Sequence, residues 1–258
     1  MTTPLLEAKL VRKDFGGVTA VDDVSFAIQP QQITTLIGPN GAGKSTMMNM
    51  ISSIIKPTSG EILWQGKEIT QLSADAIARH GIARTFQNVQ LFGNMSALEN
   101  VMVGRHSHSK GNFFTAMTRL GGIAREEEKV RVDALRYLEL LGITAIADTI
   151  ADDLPFGHQR LLEIARALAS EPTLLLLDEA ASGLSTHEKQ GLVDLIFRIR
   201  DTGVTIFMVD HDMELVMGIS DAVIVLDHGE KIAEGTPTEI QRNPRVIAAY
   251  LGEEPVNA

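Results

Sequence analysis

Apolar and polar positions divide the chain into a β-rich beginning, a helical middle and an alternating end. In the beginning, residues 5–73, short apolar runs are separated by turn residues such as Pro57, Gly60 and Gly66. Runs with this pattern lie at residues 18–28, 33–37 and 61–64. They predict a small mixed sheet.

The middle of the chain has a helical pattern. After a glycine-containing patch at residues 111–122, residues 124–141 carry apolar side chains at helical spacing with charges of alternating sign between them. This pattern predicts a helical insertion that extends from about residue 97 to Gly157.

The end of the chain alternates between the two patterns. Continuous apolar runs typical of buried strands lie at residues 174–177, 204–209 and 222–226, and helical segments lie at 189–200 and 213–219. Unbroken apolar strands that alternate with helices indicate a parallel sheet covered on both faces. The predicted fold class is therefore α/β with an inserted helical lobe.

The predicted strand at 33–37 runs directly into the motif G-x-x-x-x-G-K-[ST], and a predicted helix at 47–55 follows. The residues of the motif are Gly38, Pro39, Asn40, Gly41, Ala42, Gly43, Lys44, Ser45 and Thr46. Its glycines let backbone N–H groups point at phosphate oxygens, and the helix N-terminus adds a favourable dipole. Lys44 would reach the β- and γ-phosphates, and Ser45 would ligate Mg²⁺. A glycine-rich turn without a ligand is the alternative; the context favours a nucleoside triphosphate site.

Two adjacent carboxylates follow the leucine run at 174–177. Asp178 and Glu179 are thereby delivered to the C-terminal edge of the predicted sheet, where α/β folds bind ligands. Asp178 suits the Mg²⁺ shell, and Glu179 is placed to polarise an attacking water as a general base. An ordinary acidic turn is the alternative.

His211 follows the next predicted strand and reaches the same edge, where an imidazole could contact the γ-phosphate and the attacking water. A structural histidine is the other possibility.

Composition narrows the class of protein. The chain has 258 residues, of which 44% are hydrophobic and 22% charged, as in a soluble globular protein. A net charge of −10 without a lysine or arginine block disfavours nucleic acid and direct binding to anionic lipid. No apolar run approaches the roughly eighteen residues of a membrane-spanning helix. Residues 1–7 lack a secretion signal, and the absence of cysteine excludes disulfides and thiolate metal sites.

Several motifs in order carry a resemblance to a known family. The phosphate loop, Gln87 in GIARTFQN, residues 154–160 (LPFGHQR), Asp178-Glu179 and His211 resemble the nucleotide-binding subunit of ABC transporters over residues 5–252. The segments FGG at 15–17, HDM at 211–213, VMGISD at 216–221 and AYLG at 249–252 are similar above all to the ATPase of branched-chain amino acid importers (the LivG type).

The resemblance implies a fold and a ligand. It implies one ABC ATPase domain, residues 5–252, with a P-loop NTPase core and small antiparallel β subdomain at 5–90 and 158–252, and a helical subdomain at 91–157. ATP and Mg²⁺ are the implied cofactors. Phe15 would stack on adenine with Val21 against the base or ribose, a buried strand residue being the alternative for Phe15. Gln87, by chemistry alone an ordinary surface residue, would ligate Mg²⁺ and sense the γ-phosphate.

The resemblance also implies a second subunit. In this family two ATPase subunits pair head to tail, and the signature segment of one, usually LSGGQ, completes the site of the other. Here the signature segment, residues 154–158, has Pro155 in place of the serine, so that hydroxyl is missing, while Gly157 and the following helix, predicted at 159–169, still offer N–H groups. Ala180 replaces a frequent proline, and Ser185 a frequent aspartate, in the loop that touches the partner site. We therefore expect a heterodimer with a second ATPase of regular signature, a homodimer being the alternative.

The implied function is ATP hydrolysis that powers uptake of branched-chain amino acids at the cytoplasmic face of the cell membrane. The implied partners are transmembrane permease subunits, docked near residues 87–102, and indirectly a solute-binding protein. Other solutes such as urea or lipopolysaccharide, a soluble ABC ATPase acting on DNA or ribosomes, and a scaffold that binds ATP but barely hydrolyses it are the alternatives.

Overall fold

The computed structural model describes residues 3–106 and 120–251. Residues 111–119 of the glycine-containing patch, and residue 252 at the end of the predicted domain, lie outside them. The strands are β1 (Leu6–Phe15), β2 (Val18–Ile28), β3 (Ile33–Ile37), β4 (Ser59–Trp64), β5 (Lys67–Glu68), β6 (Ile82–Arg84), β7 (Leu174–Asp178), β8 (Thr205–Val209), β9 (Ala222–Asp227) and β10 (Glu230–Gly235). The helices are α1 (Lys44–Ile51), α2 (Ala74–Arg79), α3 (Ala97–His106), α4 (Leu120–Leu140), α5 (Phe156–Leu168), α6 (Thr186–Asp201), α7 (Met213–Ile219), α8 (Pro237–Gln241) and α9 (Pro244–Leu251).

Two sheets form the framework of the molecule. The larger has the order β10-β9-β3-β8-β7-β6, in which only the pairing of β10 with β9 is antiparallel among the described strands. The smaller has the order β2-β1-β4-β5, and all its pairings are antiparallel. The predicted α/β fold with a small antiparallel subdomain is confirmed. The prediction of one small mixed sheet in residues 5–73 was wrong, because β3 pairs with β8 and β9 and so belongs to the larger sheet.

Several predicted bounds shift. The helix expected at 47–55 is α1, which begins at Lys44 and ends at Ile51, because Ser53 takes a left-handed conformation with φ of 59°. Helix α4 begins four residues before the predicted start, and α5 begins at Phe156 rather than at residue 159. Strands β1, β5, β6 and β10 have no counterpart among the predicted runs, since β5 and β6 are only two and three residues long and charged residues interrupt β1 and β10.

Apolar side chains fill both faces of the larger sheet. On one face the sheet packs against the smaller sheet and α1, where Phe26 stacks on Phe207 with ring centroids 5.7 Å apart. On the other face it packs against α5, α6 and the helical segment that contains α3 and α4. The C-terminal ends of β3, β7 and β8 are thereby held together at one edge. Among the described residues, no helix combines the length and the apolar character needed to cross a bilayer.

Candidate functional site

The loop between β3 and α1 is wedged between two other strands. A Cβ atom at Gly38 would lie 2.1 Å from the carbonyl oxygen of Leu226 on β9, and one at Gly43 would lie 2.4 Å from that of Ala20 on β2. Gly43 also has a φ of 100°, in the left-handed region that favours glycine. The two glycines are thus required by close backbone approach, and they fix the loop at the edge of the sheet.

The first turn of α1 is left open. No side chain caps this helix, and within the described part of the chain the N–H groups of residues 43–46 donate to no acceptor. The ammonium of Lys44 folds back over the loop and donates to the carbonyl oxygens of Gly38 (2.7 Å) and Pro39 (2.9 Å). Burial lowers the pKa of Lys44, and the charge of Glu179 opposes that change. Unpaired amides beside a partly desolvated cation suit a phosphate group.

Asp178 ends β7 and is held by a residue that the sequence analysis assigned no role. Arg84, the last residue of β6, donates to Asp178 Oδ2 at 2.8 Å, and both side chains are at most 8% exposed. The same guanidinium reaches α1, where it donates to Asn49 Oδ1 and Ser52 Oγ. The signal that could have found Arg84 is its position in GIARTFQN, a segment that carries the family resemblance. Arg84 therefore joins three elements beneath the site and occupies one oxygen of Asp178.

Glu179 lies at the centre of the candidate catalytic groups. Its backbone is left-handed, with φ of 50°, and its N–H donates to the carbonyl of Val209 on β8. The carboxylate Oε2 accepts from Gln87 Nε2 at 3.0 Å and lies 3.9 Å from His211 Nδ1. Gln87, Glu179 and His211, widely separated in sequence, are thus brought together. A non-glycine residue held in this conformation is a feature of functional sites.

Asp210, which sequence analysis also missed, supports this group from below. Its carboxylate is buried; Oδ1 accepts from the N–H groups of His211 (2.8 Å) and Asp212 (3.0 Å), and Oδ2 from that of Ala181 at 3.3 Å. One carboxylate therefore links the loop after Glu179 to the loop that presents His211. Nothing in the local pattern marked it, because Asp210 and Asp212 flank His211 and look equivalent in sequence.

The two residues predicted to contact the base, Phe15 and Val21, differ in their exposure to solvent. Phe15, at the end of β1, is 49% exposed, with the ammonium of Lys13 5.1 Å from the ring centroid. An exposed ring is available for stacking, and it is not a buried strand residue. Val21 is fully buried in the core beneath the loop, with its Cγ2 atom 3.2 Å from where a Cβ of Gly43 would lie. Its expected contact with base or ribose does not fit this burial; it supports the loop instead.

The signature segment, residues 154–158, includes the start of α5. Pro155 is exposed and is the residue before α5, with φ of −55° and ψ of 149°, and no side chain caps this helix. Gly157 lies against α6, since a Cβ there would be 2.2 Å from Glu188 Oε1. Phe156 is 46% exposed, so the segment presents an open helix N-terminus and an aromatic ring at the surface.

The residues present fit a magnesium–nucleotide pair better than a bare ion. Among the described residues no group of three or more histidine, cysteine or acidic side chains could hold a metal. Ser45 is exposed at the start of α1, and Asp178 keeps one oxygen free of Arg84. Such a sparse set of oxygens suits Mg²⁺, which is commonly bound through one or two protein ligands plus phosphate oxygens.

Comparisons with known proteins point to the same chemistry. The family model described as "ABC transporter" matches residues 21–182, and that described as "Branched-chain amino acid ATP-binding cassette transporter" matches residues 230–256. The BraF protein of Pseudomonas aeruginosa and the LivG protein of Escherichia coli K12, both high-affinity branched-chain amino acid transport ATP-binding proteins, are each 42% identical to the chain. Both alignments cover 98% of this chain and 100% of the relative.

Solved structures are similar over nearly the whole chain. The ADP conformation of MJ1267, an ATP-binding cassette of an ABC transporter, has a TM-score of 0.85 at 30% identity and covers 98% of this chain and 100% of its own. A dimeric cassette, MJ0796 in a post-hydrolysis state bound to ADP and Pi, has a TM-score of 0.77 at 27% identity. The alignment covers 90% of this chain and 98% of that structure's chain.

Proposed function

This chain belongs to the ABC transporter family, and on that premise we propose that it is the ATP-binding, ATP-hydrolysing subunit of an importer of branched-chain amino acids. The observation that carries the proposal is the open amide cradle of α1, which lies at the same sheet edge as Asp178, Glu179 and His211. The names of the full-length relatives support the solute class.

Each part of ATP has residues suited to it. The amides of residues 43–46 and Lys44 would hold the phosphates, with Lys44 exchanging its bonds to loop carbonyls for phosphate oxygens. The exposed ring of Phe15 would stack on adenine. Ser45, Asp178 and Gln87 would hold Mg²⁺, whose chemistry is to neutralise charge on the phosphate oxygens.

The catalytic step we propose is attack of water on the γ-phosphorus of ATP: Glu179 takes a proton from the water as its oxygen bonds to phosphorus, and the bond from phosphorus to the β–γ bridging oxygen breaks with ADP as the leaving group. The Glu179 carboxylate is 23% exposed and is oriented by the amide of Gln87, so it is both reachable by water and fixed in direction. His211, 65% exposed and 3.9 Å away, would contact the terminal phosphate. Asp210 holds the backbone that presents His211.

The proposed assembly is a heterodimer with a second ATPase. A neighbouring structure is a dimeric cassette, which supports pairing. Pro155 offers neither a hydroxyl nor a backbone N–H, so the site that this chain completes on its partner would be the slower one. The site built on Lys44, Asp178 and Glu179 would take its missing donors from the partner. A fully active homodimer of this chain alone would contradict the asymmetry.

The membrane partners we propose are permease subunits docked beside Gln87. A cavity of about 440 Å³ next to this loop is lined by Phe92, Gly104 and Arg166 among others. Docking there would place the subunit at the cytoplasmic face of the membrane. A solute-binding protein would then interact with this subunit only indirectly, through the permease subunits. Replacing Gln87 with alanine should then leave ATP binding intact and lower transport-coupled turnover.

Calorimetry with magnesium and ATP tests the proposal. We expect saturable binding to the full-length chain, loss of at least about tenfold in affinity for Lys44→Ala, and phosphate release at this chain's site in the heterodimer that Glu179→Gln abolishes. Arg136→Ala, on the exposed face of α4, is the matched control that removes a distant cation. Absence of binding by folded wild-type protein would refute the proposal.

A further inference from the structure

Helix α5 contains an ion pair that is withdrawn from water. Arg160 and Glu163, one turn apart, are each 1% exposed, and Arg160 is the largest fully buried side chain among the described residues. Charged side chains are rarely buried so completely, and the desolvation of such a pair commonly offsets its attraction. Net stability is therefore a weak explanation for its presence.

The pair holds a stretch of backbone that has no regular structure. Arg160 donates to the carbonyl oxygens of Phe86 (2.7 Å) and Gln87 (2.8 Å). Glu163 Oε1 accepts from the N–H groups of Phe86 (3.2 Å) and Gln90 (3.3 Å). Two side chains of α5 thus satisfy four backbone groups within residues 86–90, which makes the conformation of this loop dependent on the position of the helix.

The same helix connects two functional regions. At one end of the connection, the Gln87 side chain donates to the carboxylate of Glu179 at 3.0 Å. At the other, α5 begins within the signature segment, where the ring of Phe156 lies 5.6 Å from the Arg160 guanidinium. A displacement of the signature segment would therefore move Arg160, and with it the backbone that positions Gln87.

We propose that Arg160 and Glu163 are positioning residues for Gln87, and that they transmit the position of the signature segment to the general base of the same chain. The inference rests on the proposed function for the roles of Gln87 and Glu179. It adds that turnover at this chain's own site depends on how α5 is engaged by the partner's nucleotide. The pair's contacts with backbone, rather than its charge, carry this role.

The double variant Arg160→Met/Glu163→Leu removes the contacts without leaving an unpaired charge. We expect ATP affinity within about twofold of wild type, turnover lower by about tenfold, and amide hydrogen exchange at Phe86 and Gln90 faster by at least about tenfold. In a Gln87→Ala background the same pair of substitutions should lower turnover no further, because its effect passes through Gln87. Arg160→Lys, which keeps the charge but not the forked contact, provides a second test should the double variant fold poorly.

Leu168→Ala is the matched control, since it empties a buried position of the same helix and leaves the four hydrogen bonds from Arg160 and Glu163 to residues 86–90 in place. The proposal is overturned if turnover of the folded double variant equals wild type, if Leu168→Ala has the same effect, or if the effects of Gln87→Ala and the double variant add. Exchange is measured without turnover, so an inactive wild-type chain would count against the proposed function alone, while unchanged exchange would refute the positioning role.

Discussion

The helix N-termini that the structure describes include capped and uncapped ends. Helices α2, α6, α7 and α8 begin with a side-chain cap, supplied by Ser73, Ser185, Asp212 and Thr236. Helices α1 and α5 have no side-chain cap. Helix α1 begins at the end of the phosphate loop, and α5 begins within the signature segment. A side-chain cap contributes about 1 kcal/mol to stability, so an uncapped helix end is a stability cost that a bound anion can offset.

The two uncapped ends also differ from each other. At α1, glycines in close contact with neighbouring strands aim the free amides, and Lys44 lies beside them. At α5, Pro155 has no N–H to offer, and an exposed phenylalanine stands next to it. The end of α1 is therefore suited to hold phosphate directly, whereas the end of α5 has one N–H fewer to offer an anion.

Glu179→Gln should have the largest effect on the site at α1. The amide removes the proton acceptor but keeps the size of the side chain, so turnover should fall by at least about 100-fold while ATP binding persists. Phosphate release and calorimetry measure the two quantities. Glu230→Gln, an exposed carboxylate at the start of β10, should change neither. Retained turnover would remove Glu179 from the mechanism.

Gly43→Ala tests whether the geometry of the cradle matters. The added methyl would meet a backbone carbonyl at 2.4 Å, so the loop must shift and ATP affinity should fall by more than about tenfold. Gly41→Ala is the control: it has a similar positive φ of 83°, but nothing lies within 4 Å of its Cβ position. Equal losses in the two variants would show that backbone strain, not contact, is the cause.

Ser185→Ala sharpens the contrast with the capped helices. The variant loses the two bonds of the Ser185 hydroxyl, which donates to Glu188 Oε2 and accepts from the Glu188 N–H, while the backbone N–H of residue 185 still donates to Glu188. The free energy of unfolding should fall by about 1 kcal/mol with or without ATP. Thr236→Ala, which removes the equivalent cap of α8, is a matched comparison. A loss that ATP restores in Ser185→Ala alone would mean that this end also meets nucleotide.

Asp212→Asn separates the charge of a cap from its hydrogen bond. Lys189, which donates to Asp212 Oδ2 at 2.5 Å, is the main cause that lowers the pKa of Asp212, while asparagine still caps α7. Because the pKa of Asp212 is lower in the folded state, its ionised carboxylate stabilises the fold at pH values above the unfolded-state pKa. This stabilisation is lost as the pH falls through the folded-state pKa. At pH 7 the variant should be less stable by about 0.5 kcal/mol, and the difference should vanish in acid. Denaturant unfolding at several pH values measures it; a constant difference would contradict the charge effect.

Pro155→Ser should have the smallest effect. The restored hydroxyl would serve the partner's site, so turnover at this chain's own site should change by less than about twofold. Measurement in the heterodimer with Glu179 intact, and again with Glu179→Gln, assigns the activity to each site. A large increase that is seen with Glu179 intact and lost with Glu179→Gln would show that this chain's own site also depends on the segment.

Sequence patterns predicted the long and strongly periodic elements and missed those defined by contacts. β2 and α7 have the predicted bounds, because their apolar positions and turn or cap residues are local signals. The pattern implied that Glu179 and His211 would meet, because the parallel strands before them end at one edge, whereas Gln87 was placed in the site only through the family resemblance, since β6 was not predicted. Arg84 and Asp210 were missed, since their importance lies in partners far along the chain. Val21 was misplaced for the same reason: its burial depends on the tertiary packing of β2 under the loop.

The backbone of Glu179 has a consequence for laboratory evolution. A residue of this type held at φ of 50° stores about 1 to 3 kcal/mol of strain, which glycine or asparagine would release. Selection for heat resistance alone should therefore favour replacement of the glutamate, and the hardiest descendants would be unable to split ATP. Engineering a robust version of the subunit requires scoring turnover in every round.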